Sequence, residues 1–390
     1  MSRSENKRVL WVNPSFLDYR IPLYGEMNEQ LEGNFHLLYS KERIPDRCHK
    51  KINEVLNINS HYLEHEKRIK FGNSEAEFAN TSVSIPIPSG LYGQIKEIKP
   101  SQIIAEGFFQ FTPWALAYSF IHRVPLYIAY ERTAHTERNC PWWRKFYRKF
   151  VGLFVKGYIA NGILTKEYLI SQGVKPECVF TGGMCADSEN LRISSASMNE
   201  ADRLEFAKSI GLHTTNGIKY IYVGQIIQRK GVRHLLDAWR EHEKSYPDDQ
   251  LLIIGTGEYL EQYRKEYGDM KSIYFLGGVD YSIIFKYYAI SDVFVIPTLE
   301  DNWSLVVPEA MACGLPIACS IYNGCHPELV KKDYNGITFD PVSVESTEKA
   351  LQYFHSQDLS DMGHNSSELE KLFNPEATAQ NIIKMLKECK

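Results

Sequence analysis

The chain lacks the markers of several large protein classes. Its eight cysteines (Cys48, Cys140, Cys178, Cys185, Cys313, Cys319, Cys325 and Cys389) form no Cys-x-x-Cys pair, and no Cys/His spacing fits a zinc site. Scattered cysteines of this kind are the usage of a reducing compartment. Cys313 and Cys319 lie in apolar surroundings that predict small buried residues. No run of 18 apolar residues occurs, so no transmembrane helix is expected. Residues 1–7 precede only a short apolar run, which is not a signal-peptide pattern. Basic charge is not in excess. The net charge of −4 gives no whole-protein case for nucleic-acid binding. No fixed-period repeat or low-complexity segment appears. The loop at residues 14–20 follows a first strand but has no glycine, which excludes a dinucleotide fingerprint there.

What the chain does have is size and order. A length of 390 residues predicts two domains, and 44% hydrophobic with 24% charged residues suits large soluble cores. A strand at 8–13, a loop and a helix at 21–31 lead to a second strand at 35–39, and residues 41–77 are polar and ambiguous. Further strands are expected at 84–87, 102–105, 125–130 and 157–160, with helices at 112–122 and 165–172. A second run of units starts at residue 218. Its strands at 219–223, 250–254, 273–276, 293–296 and 317–319 alternate with helices, and the first three are followed directly by glycine. The fold class expected is α/β, with two doubly wound parallel sheets.

Residues 291–316 organise the second half. Val293 to Ile296 reads as a buried strand and residues 298–303 as a loop. A helix follows, with Ser304 as N-cap, Pro308 near its first turn and Gly314 just beyond its end. Asp301 and Glu309, eight positions apart, flank the start of that helix. Free N–H groups and a positive dipole end fit a phosphate there, and a neighbouring carboxylate fits a pair of sugar hydroxyls. An ordinary βα turn with surface acids meets the same spacing. His135 follows the strand at 125–130, where ligand-facing residues collect, or else simply caps a turn. Residues 141–157 form a helix with Trp143, Phe146, Phe150 and Phe154 on one stripe, flanked by Arg144, Lys145, Arg148 and Lys149. It is either a core helix with a solvated basic face or an element that meets an anionic membrane or a lipid-linked acceptor.

Several landmarks fall in one order: Gly224 to Gly231, Gly255-Thr256-Gly257, Phe275-Leu276-Gly277, Ser291-Asp292-Val293-Phe294, Asp301 to Glu309, Ala310 to Pro316, and Asn335-Gly336. In this the chain resembles the retaining GT-B glycosyltransferases of family 4, closely in its second half and more loosely in its first. The resemblance implies two Rossmann-like domains facing a cleft. Residues 1–190 would hold the acceptor and 191–374 the nucleotide-sugar, while 375–390 would form a helix crossing back to the first domain. Lys230 would bind the donor diphosphate together with Gly224, Gln225 and Arg229; Gln225 stands where the family has an arginine. Glu309 would bind the ribose hydroxyls, and Asp301 would take the place of the family's first glutamate. Asn302, Trp303 and Ser304 replace its glycine-aromatic-glycine. The N–H groups of Ser304, Leu305 and Val306 would cradle phosphate, Gly277 and Val279 would frame the base, and His135 would touch the donor sugar.

The implied activity is transfer of a sugar from a UDP- or GDP-sugar to a hydroxyl of a surface glycan or lipid-linked oligosaccharide. The configuration would be retained, with no metal and no cofactor, since the nucleotide-sugar is a substrate. The expected location is cytoplasmic, with peripheral contact at the inner face of the plasma membrane. A nucleotide-sugar 2-epimerase and a non-catalytic glycan-binding protein remain alternatives on the same fold.

Overall fold

The computed structural model describes residues 7–15, 18–72, 82–213 and 216–388. Readings that concern residues 1–6, 16–17, 73–77 and Cys389 lie outside them. The chain divides into two compact units. Met1–Ala186 together with Asn374–Lys390 makes the first, and Asp187–Phe373 the second.

The first unit holds a seven-stranded sheet. Its order is Ser60–Leu63, Phe35–Ser40, Val9–Val12, Gln102–Glu106, Leu126–Tyr130, Gly157–Ala160 and Val179–Phe180. Every pairing in it is parallel. The second unit holds six parallel strands in the order Ile273–Gly277, Gln250–Ile254, Lys219–Val223, Val293–Ile296, Ile317–Ser320 and Gly336–Phe339. In both sheets the first strand in sequence lies between the second and fourth, so the chain reverses direction beside it. Ligands of open α/β sheets bind outside the carboxyl ends of strands at such a reversal. The inner strands are mainly apolar because helices cover both faces; Val9–Val12, Gln250–Ile254 and Val293–Ile296 are buried at every position.

The ambiguous segment at residues 41–77 contains a helix, Asp46–Leu56, that buries Cys48, Ile52 and Leu56 at i, i+4 spacing. After it, Lys67–Gly72 pairs antiparallel with Ser82–Ile87. The last helix, Pro375–Glu388, packs in the first unit's core. Its Ala379, Ile382, Ile383 and Leu386 join Ile21, Leu23 and Met27 of the helix Ile21–Gln30.

The helix Trp142–Gly152 corrects an expectation. Arg144 and Arg148 do not flank its aromatic stripe at the surface; they are buried, with Val151, on its inward face. Arg148 donates to both carboxylate oxygens of the buried Glu137, at 2.5 and 3.2 Å, and to the Tyr168 hydroxyl at 3.2 Å. The stripe itself faces solvent, as do Lys145 and Lys149.

Candidate functional site

In the second unit, three loops at the carboxyl ends of the strands are locked together through main chain. After Lys219–Val223 the chain passes Gly224, and the Gly224 carbonyl lies so close to Gly255 that a Cβ there would stand 1.8 Å from it. Gly231, at φ +68°, presses on the Pro297 carbonyl, which a Cβ would meet at 2.1 Å. The Arg229 carbonyl between them accepts from the N–H groups of Leu299 (2.8 Å) and Glu300 (3.3 Å) and from the Thr298 hydroxyl (3.1 Å). Lys230 is thereby held against residues 298–304.

Its ammonium pairs with the Asp301 carboxylate, and both side chains are largely buried. Asp301 also accepts from the Ser304 hydroxyl at 2.8 Å and from the Trp303 N–H at 3.1 Å, with the Arg229 guanidinium 3.9 Å away. Burial works to raise the Asp301 carboxyl. The Lys230 ammonium and these hydrogen bonds outweigh it and hold the pKa below the ordinary carboxylate value. Asp301 is thus the anchor of a cation and a turn. The Ser304 hydroxyl is spent on that turn and does not cap the following helix, Val306–Ala312, contrary to expectation. The Ser304 N–H also has a partner, the Asn323 Oδ1 at 3.3 Å, so it is not the open donor the sequence suggested. Leu305 and Val306 open the helix, where backbone N–H groups have no partner within the helix.

Glu309 sits inside that helix between two tyrosines. Tyr281 donates to Oε1 at 3.3 Å and Tyr288 to Oε2 at 3.4 Å. Burial pushes its pKa up to about 7, with the two hydroxyls opposing. This carboxylate has no cation beside it to offset its burial, unlike Asp301. It is poised to gain from hydroxyl donors of a ligand.

Of the remaining expected residues, Gln225 is exposed, and its carbonyl accepts from Tyr222 at 2.8 Å. Gly277, at φ +74°, gives its carbonyl to Gly255 N–H at 2.8 Å, and half-exposed Val279 follows it. Asn302 is half-exposed and Trp303 is buried. His135 belongs to the first unit, in a turn where its carbonyl accepts from Arg138 at 2.6 Å. The sequence reading missed Tyr281, Tyr288 and Asn323. Tyr288 and Tyr281 lie 21 and 28 positions from their partner Glu309, beyond the reach of local spacing. It also missed a cluster at the strand ends of the first unit. There the buried Arg20 donates to Glu131 (2.8 Å) and Glu106 (3.1 Å), and burial raises Glu106 to about 7.

For a metal, one group among the described residues brings three ligand types close: His242, Asp249 and His355. Both histidine Nε2 atoms lie 2.8 Å from Asp249 Oδ2. This cluster stands before the strand Gln250–Ile254, at the opposite end of the sheet from Lys230. His242 Nδ1 is buried and unpartnered, whereas a metal-bound histidine donates its second N–H. Its geometry is that of a hydrogen-bonded structural cluster.

Residues 205–369 match a family model described as Glycosyl transferases group 1. The chain is 30% identical over 148 residues to an uncharacterized glycosyltransferase of Methanocaldococcus jannaschii, covering 37% of each chain. It is 33% identical over 128 residues to sulfoquinovosyl transferase of Arabidopsis thaliana, covering 32% of this chain and 24% of that one. It thus spans well under half the length of the curated relatives it matches. Among solved structures, HepE of Anabaena in complex with UDP and glucose superposes with a TM-score of 0.69 at 15% identity, over 98% of this chain and 99% of that one. The lipopolysaccharide outer core galactosyltransferase WaaB, apo form, gives 0.69 at 12% identity, over 98% and 99%. These likenesses show the fold, which is GT-B: two Rossmann-like α/β domains.

Proposed function

From the match of residues 205–369 to the glycosyl transferases group 1 model and from the GT-B fold, we propose that this protein is a nucleotide-sugar-dependent glycosyltransferase. The observation that carries the reading is Lys230, locked in place by glycine contacts and paired to Asp301 beside the start of the helix Val306–Ala312. A fixed ammonium and helix N–H groups offset charge that develops on a departing diphosphate, which is preorganised electrostatic stabilisation. Glu309 accepts the ribose hydroxyls of the donor. Their O–H groups favour its ionised form and draw its proton off as the donor binds. The complexes of HepE with UDP support a UDP-sugar, and the GDP-mannose-dependent mannosyltransferase of Mycolicibacterium smegmatis, 27% identical over 141 residues, supports a GDP-sugar.

The acceptor is a hydroxyl of a glycan or a lipid-linked oligosaccharide. Its oxygen bonds to the anomeric carbon as the bond from that carbon to the diphosphate breaks, and its proton passes to the leaving phosphate. Attack on the face the leaving group departs from retains configuration. Lys230 supplies the positive charge that a metal would otherwise bring. The test is incubation of the protein with labelled UDP- and GDP-sugars and extracted lipid acceptors, with and without EDTA. Transfer that survives EDTA and is abolished in Lys230→Ala and Glu309→Ala is expected. Near-normal transfer by both variants would overturn the site, and interconversion of the sugar without acceptor would identify an isomerase instead.

A further inference from the structure

The helix Trp142–Gly152 turns its polar and apolar faces the wrong way round for a soluble domain. Its two arginines are buried, Arg148 against Glu137 and Arg144 over the Phe109 ring, while its outward face carries Trp142 (79% exposed), Phe146 (70%) and Phe150, and Leu153 (78%) follows it. Residues 142, 146, 150 and 153 follow the i, i+3/i+4 spacing of one helix face. The patch does not end there. Phe150 packs edge-on to Phe154 at 5.5 Å, and Phe154 to Phe120 at 6.0 Å, which brings in exposed Phe120 and Ile121 at the end of the helix Thr112–His122. Phe120, Ile121, Leu153 and Phe154 also line a groove of about 1320 Å³ in the same unit. Large contiguous apolar surface on a soluble domain marks a contact site.

Charge identifies the occupant. Residues 138–156 contain no Asp or Glu, and neither do residues 107–130. Lys145 and Lys149 stand exposed among the aromatics, and Arg123 is exposed next to Ile121. Aromatic and aliphatic side chains interleaved with exposed lysines, with no carboxylate between them, match the boundary between lipid headgroups and acyl chains. A second copy of this face would set like charges against each other. None of the described helices is long and apolar enough to cross a membrane, so the element lies on a surface.

We propose that this face of the first unit docks on an anionic lipid bilayer, with Trp142, Phe146 and Leu153 entering the acyl boundary and Lys145 and Lys149 meeting the headgroups. The test is flotation of the full chain with vesicles of equal parts phosphatidylglycerol and phosphatidylcholine, against phosphatidylcholine alone. The protein should float with the anionic vesicles. Trp142→Ser/Phe146→Ser/Leu153→Ser, all at solvated positions, should bind about tenfold or more weakly while melting as the parent does. Lys145→Glu/Lys149→Glu should bind more weakly still at low salt, the gap closing as salt screens it. Parent protein that stays with the soluble fraction overturns the proposal, as does a triple variant that floats equally well. A parent dimer in solution that the triple variant dissolves would overturn it too, since a second copy would then cover the patch. Flotation does not depend on sugar transfer, so failure here leaves the proposed activity untouched.

Discussion

Changing Glu309 to Gln separates the cost of an isolated buried carboxylate from its role. Glutamine keeps one acceptor oxygen for one of the Tyr281 and Tyr288 hydroxyls, both within 3.4 Å, and turns its amide NH2 to the oxygen of the other, so the charge is removed while each tyrosine keeps a partner. In the folded protein Glu309 titrates at about 7, against an ordinary 4.5. Between those values the folded state holds a proton that the unfolded chain has released. Stability contributed by protonated Glu309 is therefore complete below pH 4.5 and is lost as the pH rises to about 7. That distance corresponds to about 3 kcal/mol at about 1.4 kcal/mol per pH unit. Glu309 keeps some contact with solvent, whose screening reduces the figure to ~1–2 kcal/mol. The Gln variant should match the parent near pH 4.5 and melt ~2–8 °C higher at pH 8, at ~2–4 °C per kcal/mol for a unit of this size. The assay is thermal unfolding of both proteins from pH 4.5 to 8. Taking the difference between them cancels Glu106 and Glu370, which also titrate near 7. Parallel curves would refute the assignment of an uncompensated charge to Glu309.

Two further outcomes follow from packing. Gly255→Ala places a methyl 1.8 Å from the Gly224 carbonyl, so main chain must move; a loss of more than ~3 kcal/mol, or insoluble protein, should appear in urea unfolding. Arg148→Ala takes one of two paired arginines from the buried Glu137 carboxylate, leaving Arg132 at 3.2 Å, and should cost ~1.5–3 kcal/mol by the same measurement at neutral pH.

Both parallel sheets could be read from the chain because their inner strands are unbroken apolar runs, which need no knowledge of neighbours. The helix Asp46–Leu56 could not: three inward residues among lysines and acids leave a thin signal. The site divides in the same way. Lys230, Asp301 and Glu309 were singled out by the resemblance to a known family, since their spacing alone fits an ordinary βα turn as well. The role of Asp301 as anchor was not, since it depends on a pairing across 71 positions. The aromatic stripe of the helix Trp142–Gly152 was visible, but not which face turns inward. The inward face is the one whose Arg148 meets Glu137, an acid in a separate turn. Periodicity identifies a helix's faces, and only the partner decides which one is buried.

The glycine-to-carbonyl contacts around Lys230 also govern how this protein could change over generations. Main chain pressed against main chain admits no larger residue, so the loops at Gly224, Gly231 and Gly255 are closed to gradual variation. The side chains between them are open to it: exposed Gln225 and half-exposed Asn302 can be exchanged without moving the frame. Under the proposed function, a lineage built on this frame would inherit the means of gripping a diphosphate and would be free to revise, one side chain at a time, which sugar is attached to it.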